Sequence, residues 1–254
     1  MEKTSELVSI IVPVYNAGAY IEETISMVKK QTCENWELLL VDDCSSDDSR
    51  QKICACMEHK DDRIRLIEKE RNEGAARARN TGIEAAKGRY IAFLDADDLW
   101  MEDKLEKELA FMKEKQAAFV FTAYEFGDEE GKPTGKVVHV PPSLTYDKAL
   151  SRTVIFTTTV LLDTEKTGHD LIKMPEVKSE DTATWWKILK NGYTAYGLDQ
   201  VLAIYRRPAK SLSSNKLEAV RRIWNLYRRQ EQLPVLYSIY NLIFWALRAT
   251  LRRI

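Results

Sequence analysis

Two runs in the first half of this 254-residue chain are too short to be buried helices and too continuously apolar to be strands with one wet face. Residues 7–14 read L-V-S-I-I-V-P-V and residues 36–41 read W-E-L-L-L-V. A strand that is apolar at successive positions is buried on both faces, as in the interior of a parallel sheet. Pro13 sits near the end of its run, where a missing N–H is tolerated. Residues 64–67, 90–94 and 118–122 supply three further short strands. Between the strands lie helical stretches at residues 20–31, 48–59, 74–86 (helical despite Gly82) and 101–115. This alternation predicts an α/β fold with a mostly parallel central sheet and helices on both faces.

After residue 122 the rhythm changes. A hairpin is expected across residues 124–140, turning at D-E-E-G-K-P, then a strand at 156–162, a helix at 181–190 and a strand at 201–205. From residue 217 onward the pattern is helical, with a break at Pro234. No internal repeat is present.

Composition enters through charge. The net charge is −1, which provides no polycation for nucleic acid. From Arg206 to the end there are eleven Lys/Arg and two Asp/Glu, so this segment carries +9 and the body −10. A basic end on an acidic body points to an anionic partner for that end. Cys33, Cys44, Cys54 and Cys56 form no C-x-x-C pair, and the start M-E-K-T-S-E has no secretory character. Free thiols in a reducing compartment are expected. His59, His139 and His169 are scattered without zinc spacing.

Ligands of an open parallel sheet bind at the carboxyl ends of its strands. Those ends carry Tyr15-Asn16, then Asp42 and Asp43, then Asp95, Asp97 and Asp98. There is no G-x-x-x-x-G-K-[ST] loop and no G-x-G-x-x-G fingerprint, which disfavours P-loop nucleotidases and Rossmann dehydrogenases. Oxygen-only ligands suit a hard cation, Mg²⁺ or Mn²⁺, able to hold a diphosphate at an acidic rim. Aspartates in turns are also common helix caps, so D-A-D-D alone leaves both readings open.

Five stretches in order resemble glycosyltransferase family 2, inverting enzymes with the GT-A fold. They are V-S-I-I-V-P-V-Y-N at 8–16, W-E-L-L-L-V-D-D at 36–43, N-E-G-A-A-R-A-R-N-T-G at 72–82, K-G-R-Y-I-A-F-L-D-A-D-D at 87–98, and Glu180-Asp181 before T-A-T-W-W-K. The resemblance covers roughly residues 7–210. It implies a metal-dependent hexosyltransferase with a GT-A-type nucleotide-sugar-binding domain over 1–210, its nucleotide-binding half at 1–122 and acceptor half at 123–210. Pro13 and Tyr15 would line the nucleotide base, and Asp42 would accept from the uracil N3–H. Arg79 would reach toward the base or diphosphate, Asp95 would sit by the ribose or metal, Asp97 would ligate Mn²⁺ or Mg²⁺, and Asp181 would be the general base. Two departures stand out. Pro208 occupies the position of a family histidine after Tyr205-Arg206-Arg207, so Arg206 or Arg207 is expected to contact the diphosphate instead. Cys44 replaces the usual glycine after V-D-D.

The expected reaction transfers a sugar from a UDP-sugar to a hydroxyl of a glycan acceptor, such as one on a polyprenyl diphosphate, in cell-surface polysaccharide or glycoconjugate synthesis. The alternatives are a sugar-nucleotidyltransferase, which would need a Gly-rich phosphate loop after strand one, and a catalytically silent nucleotide-binding or membrane-scaffold protein.

Residues 211–254 read as basic amphipathic helices. Leu236, Ile239, Tyr240, Ile243, Phe244, Leu247, Leu251 and Ile254 share one helical face, with Ser238, Asn241, Arg248 and Arg252 on another. The uncharged run at 233–247 is shorter than the ~20 residues of a spanning helix. It suits an interfacial helix with Arg221, Arg222, Arg228, Arg229, Arg248, Arg252 and Arg253 toward anionic lipid; packing on the domain or on a second copy in a homodimer is the alternative. The expected location is cytoplasmic, peripheral on the inner face of the plasma membrane.

Overall fold

The unbroken apolar runs become the central strands. In the computed structural model, which describes residues 6–57, 61–207 and 216–251, β1 (Val8–Val14) lies between β2 (Trp36–Asp42) and β4 (Tyr90–Phe93), parallel to both. β3 (Ile64–Glu68) pairs parallel with the outer side of β2. Every residue of β2 is buried. That includes Glu37, whose carboxylate accepts from the Ser9 hydroxyl (2.6 Å), the Lys87 N–H (2.6 Å) and Arg65 (3.2 Å). These partners explain how a charge stands inside W-E-L-L-L-V.

The parallel rule stops at β4. Its other neighbour, β9 (Val160–Asp163), is antiparallel and joins it to β6 (Phe119–Gly127). β10 (Ala195–Arg206) runs parallel to β6, and β5 (Leu99–Trp100) closes the edge antiparallel to β10. β7 (Pro133–Val138) forms the expected hairpin with β6, and β8 (Ser143–Leu144) pairs with β10. One mixed sheet therefore runs through both halves, and the division at residues 122/123 falls inside β6. The division at 210/211 lies outside the described residues.

The strand expected at 156–162 begins only at Val160. Thr157–Thr159 curls into a 3₁₀ turn instead. Its threonine hydroxyls bond Asp181, Asp98 and the Phe156 carbonyl, and these side-chain bonds outcompete the β preference of three branched residues.

The helices of the first half are α1 (Ile21–Lys29), α2 (Ser49–Met57), α3 (Ala75–Ala85) and α4 (Lys104–Glu114). Short helices α5 (Tyr146–Leu150), α6 (Thr164–Thr167) and α7 (His169–Ile172) precede α8 (Glu180–Lys190). The C-terminal segment comprises α9 (Lys216–Asn225), a π-helical turn (Leu226–Gln230) and α10 (Val235–Leu251). The π turn is part of the core: Tyr227 stacks on Trp186 at 5.3 Å and donates its hydroxyl proton to the Leu150 carbonyl. Arg228 is turned to the Leu233 carbonyl, away from the outward orientation expected for it. Arg252 and Arg253 lie outside the described residues. All four cysteines are free.

Gly82 has a packing reason. A Cβ there would lie 2.4 Å from Cγ2 of Ile11, so α3 approaches β1 more closely than any side chain allows. In an open helix Gly→Ala stabilises by about 1 kcal/mol. Gly82→Ala is expected to reverse that sign and destabilise by ~1–3 kcal/mol, read from the urea midpoint at unchanged m.

Candidate active site

The carboxyl ends of β1, β2 and β4 open into a cleft of about 580 Å³. Pro13 and Tyr15 wall one side, Asp43 and Arg79 another, and Asp95 and Asp97 the floor after β4. Tyr15 is 54% exposed, so it is a wall of the cleft and not a core aromatic. The loops are clipped together. Asn16, at φ 51°, accepts from the Ser46 N–H (2.9 Å) and donates its own N–H to the Ser45 hydroxyl (3.0 Å). Cys44 has φ 64°, the left-handed region that favours glycine, which accounts for the glycine usual at this turn.

Asp42 and Asp43 separate. Side chains of successive strand residues point to opposite faces. Asp42 is fully buried, accepts from Arg50 Nε (2.6 Å) and the Ser45 N–H (3.1 Å), and does not line the cleft. Its Oδ1 is buried without a hydrogen-bond partner. The cleft position belongs to Asp43, which accepts from Lys69 (2.7 Å) and from the N–H groups of Glu73 (3.0 Å) and Gly74 (2.6 Å) ahead of α3. Asp42, expected to face the base, thus does not line this cleft, and its neighbour Asp43 does.

Arg79 is buried and bridges two elements distant in sequence. One guanidinium nitrogen meets Asp95 at 2.5 Å and the other meets Glu180 at 2.9 Å. Burial works against its charge, but Asp95 and Glu180, with a smaller contribution from Asp181, outweigh it and raise its proton affinity. Both terminal nitrogens being engaged, Arg79 is a brace at the cleft wall.

The three aspartates of D-A-D-D divide their work. Asp98 is buried, accepts from the Thr158 hydroxyl (2.6 Å) and the Arg206 N–H (3.2 Å), and does not line the cleft. Thr158 also accepts from the Asp95 N–H (3.2 Å), and its carbonyl accepts from the Trp100 indole (2.8 Å). Asp97 faces the cleft. Burial, then the charge of Asp95, pushes its carboxyl above the usual carboxylate range.

Asp181 is half-buried in the first turn of α8, where Ser179 occupies the cap position; it accepts from the Thr157 hydroxyl at 3.2 Å. It does not line the cleft itself but follows Glu180, the residue that grips Arg79. Arg206 lends positive charge to Asp97 but turns its guanidinium to Glu23 (2.7 Å) and over the Tyr20 ring (4.8 Å). Arg207 lies over Phe126 at 5.7 Å; neither arginine lines the cleft, and they differ in that Arg206 alone lends charge to Asp97. Pro208 lies outside the described residues, and His139 pairs with exposed Asp199 (3.0 Å). Asp43 and Glu180 stand in the matched motifs without an assigned role, and Thr157 and Thr158 carry no motif signal.

The acidic floor fits a divalent cation. Asp95 and Asp97 place two carboxylates together, and burial followed by the charge of Asp95 raises the proton affinity of Asp97. Among the described residues no group of three acidic, His or Cys side chains could form a cage. Such a site suits Mg²⁺ or Mn²⁺ held by one or two carboxylates, with substrate oxygens and water completing the shell.

Comparison with known proteins agrees with this geometry. The family described as Glycosyl transferase family 2 matches residues 9–166. The chain is 45% identical, over all of both chains, to TuaG of Bacillus subtilis (strain 168), whose name assigns it provisionally as a teichuronic acid biosynthesis glycosyltransferase. It is 40% identical, over 93% of this chain and 92% of the relative, to the Escherichia coli UDP-Glc:alpha-D-GlcNAc-diphosphoundecaprenol beta-1,3-glucosyltransferase WfgD. Among solved structures, S. aureus TarS 1-349 with UDP-GlcNAc superposes with a TM-score of 0.70 at 22% identity, covering 94% of this chain and 71% of that one. The Pyrobaculum calidifontis mannosyltransferase PcManGT, with GDP-Man and Mn²⁺, gives 0.71 at 21% identity, covering 94% and 73%. The fold is that of the GT-A glycosyltransferases, and the chain belongs to glycosyltransferase family 2.

Replacing Arg79 by Met leaves Asp95 and Glu180 facing each other without their cation. A loss of ~3–5 kcal/mol is expected from urea unfolding, with part recovered by adding Glu180→Gln.

Proposed function

We propose that this family member is a metal-dependent, inverting glycosyltransferase that moves a sugar from a UDP-sugar to a hydroxyl of a glycan carried on a polyprenyl diphosphate. The product belongs to cell-surface polysaccharide or glycoconjugate synthesis. The observation that carries the reading is the convergence of Tyr15, Asp43, Asp95 and Asp97 on one cleft, with Asp181 joined to its wall through Glu180 and Arg79. The relative named for a UDP-Glc donor and a diphosphoundecaprenol acceptor supports the choice of substrates.

Pro13 and Tyr15 form the flat wall for the base. Asp43, already fixed by Lys69 and the Glu73 and Gly74 N–H groups, turns a carboxylate edge toward the base. Asp97, with Asp95 beside it, would hold Mn²⁺ or Mg²⁺, which when bound neutralises charge on the departing diphosphate. Arg79 fixes Asp95, and Thr158 fixes the backbone of the same turn through Asp95 N and Asp98. Asp181 takes the proton of the acceptor hydroxyl as its oxygen attacks the anomeric carbon and the bond to UDP breaks. A single displacement with one base inverts that carbon. Arg206 supplies standing positive charge beside Asp97. The work takes place at the inner face of the plasma membrane, the enzyme being peripheral there.

Asp181→Asn is expected to abolish transfer, followed as UDP release with acceptor, while UDP binding with Mn²⁺ stays near normal by calorimetry. Near-normal turnover would remove Asp181 from the role of base. Thr157→Val removes the hydroxyl that orients Asp181 (3.2 Å), so kcat is expected to fall about tenfold while UDP binding is unchanged; Thr157→Ser restores it.

Asp97 binds its proton more tightly folded than unfolded, so its favourable contribution exists at low pH and is lost as pH rises through the folded value. At neutral pH its charge therefore burdens the free enzyme. Asp97→Asn is expected to raise the Tm of the ligand-free protein at pH 7 while weakening Mn²⁺-dependent UDP binding by about tenfold or more.

A further inference from the structure

Helix α10 is inside out. Its most buried positions are polar, with Leu242 and Trp245 half-buried beside them against the core: Ser238 (0% exposed) donates to the Pro234 carbonyl at 3.0 Å, and Asn241 donates to the Tyr237 carbonyl at 2.9 Å. Its outward row is apolar: Leu236 is 82% exposed, Tyr240 56%, Ile243 54% and Leu247 55%. At 100° per residue these four stand in one line away from the body. A helix that packs for stability does the opposite, so this row is turned toward something other than the protein's own core.

One flank of that row is a groove against the segment ahead of the 3₁₀ turn. Two adjoining cavities there, of about 460 and 820 Å³, share Pro141, Ser151, Arg152 and Arg248. Arg248 is the only charged residue of α10, and it donates to both the carbonyl (3.0 Å) and the hydroxyl (2.5 Å) of Ser151. Arg152 comes from the end of α5. Among the described residues neither guanidinium has a salt bridge to a carboxylate. Burial, then the charge of Arg248, depresses the proton affinity of Arg152. Two like charges thus share a groove that Lys148 and Asp147 also line, Asp147 accepting from the Tyr237 hydroxyl (3.4 Å), beside an apolar ridge with Tyr237 and Tyr240 at its edge.

We propose that α10 lies flat on an anionic membrane leaflet, its outward row in the acyl boundary, and that Arg152 and Arg248 together hold the phosphate of a lipid headgroup in the groove. The chemistry fits each part. Aliphatic side chains suit the acyl boundary, tyrosines its polar edge, and paired guanidiniums a phosphate. No helix among the described residues is long and apolar enough to cross a membrane, so the contact is with the surface. A second copy of the chain fits less well: α10 has no acidic residue, so a two-fold contact through this face would bring the arginine pairs of both copies together without a carboxylate on the helix to meet them. The inference rests on the membrane-linked acceptor for its setting, but its test reads lipid binding without transfer, so the two fail separately.

The test is flotation of the full chain with vesicles of phosphatidylcholine alone and with added phosphatidylglycerol. The wild type is expected to float with the anionic vesicles and weakly with the neutral ones, the difference shrinking at high salt. Ile243→Glu should release it from both. Arg152→Glu, at an exposed residue with no partner to lose, should reduce binding to anionic vesicles about tenfold or more. Both variants should keep wild-type UDP affinity in the presence of Mn²⁺, which separates surface loss from misfolding. Equal flotation of the wild type and Ile243→Glu, or an undiminished anionic preference in Arg152→Glu, would overturn the proposal. So would displacement by inorganic phosphate but not by chloride at matched ionic strength, which would make the groove a site for free phosphate. A dimer broken by Ile243→Glu, with no flotation at all, would assign the row to a second copy.

Discussion

The buried guanidinium of Arg79 is the constraint on which the site depends. It comes from α3, yet it holds Asp95 at the end of the parallel sheet and Glu180 at the start of α8. A guanidinium does not shed its proton in a protein, and its planar fork fixes direction as well as charge. Each carboxylate that meets it is therefore held in place. Because Asp181 follows Glu180 directly, the same contact sets how this proposed base stands relative to the turn bearing Asp97. A lysine would offer one point of charge where two directions are needed.

From that brace the acidic residues sort by what remains to them. Asp95 and Glu180 are engaged by Arg79, and Asp98 is occupied by Thr158 and the Arg206 backbone. Asp43 is spent partly on the two N–H groups ahead of α3. Asp97 is left partly buried beside Asp95 with the charge of Arg206 offsetting this only in part, and Asp181 with one neutral hydroxyl and the N–H of Thr182. A cation site and a proton acceptor both require carboxylates that the fold has not already satisfied. The adjacent hydroxyls of Thr157 and Thr158 join the two, since one touches Asp181 and the other the Asp95–Asp98 turn.

The first half of the fold was legible because a strand buried on both faces leaves an unmistakable run of apolar residues, as in β1 and β2. The second half was less so. Antiparallel β9 and the bulged β10 owe their pairing to contacts with β4 and β6 that no local pattern records, and Thr157–Thr159 reads as strand while its hydroxyls hold it in a turn. The rim of the site was visible in motif order, and Tyr15, Arg79, Asp95 and Asp97 do meet there. Choosing between Asp42 and Asp43 needed the pleat of β2, and telling Arg206 from Arg207 needed the direction each leaves β10. Parity along V-D-D was the available signal: Asp42 ends the strand register opposite Val14, and Asp43 begins the loop.

Amphipathicity in α10 identifies two faces but carries no arrow saying which is inside. The usual assumption, apolar inward, fails because the polar face can satisfy itself. Ser238 and Asn241 bond carbonyls of their own helix, and Trp245 donates to Thr153, so burying that face leaves these groups with partners. The apolar face is then free to be displayed. The lopsided charge of the chain acts in the same sense. A +9 end and a −10 body beside an anionic surface experience opposite forces, and these rotate the molecule until the basic end is down. On the proposed membrane surface, orientation would follow from long-range charge and retention from the short-range apolar row, two interactions with separate origins in the sequence.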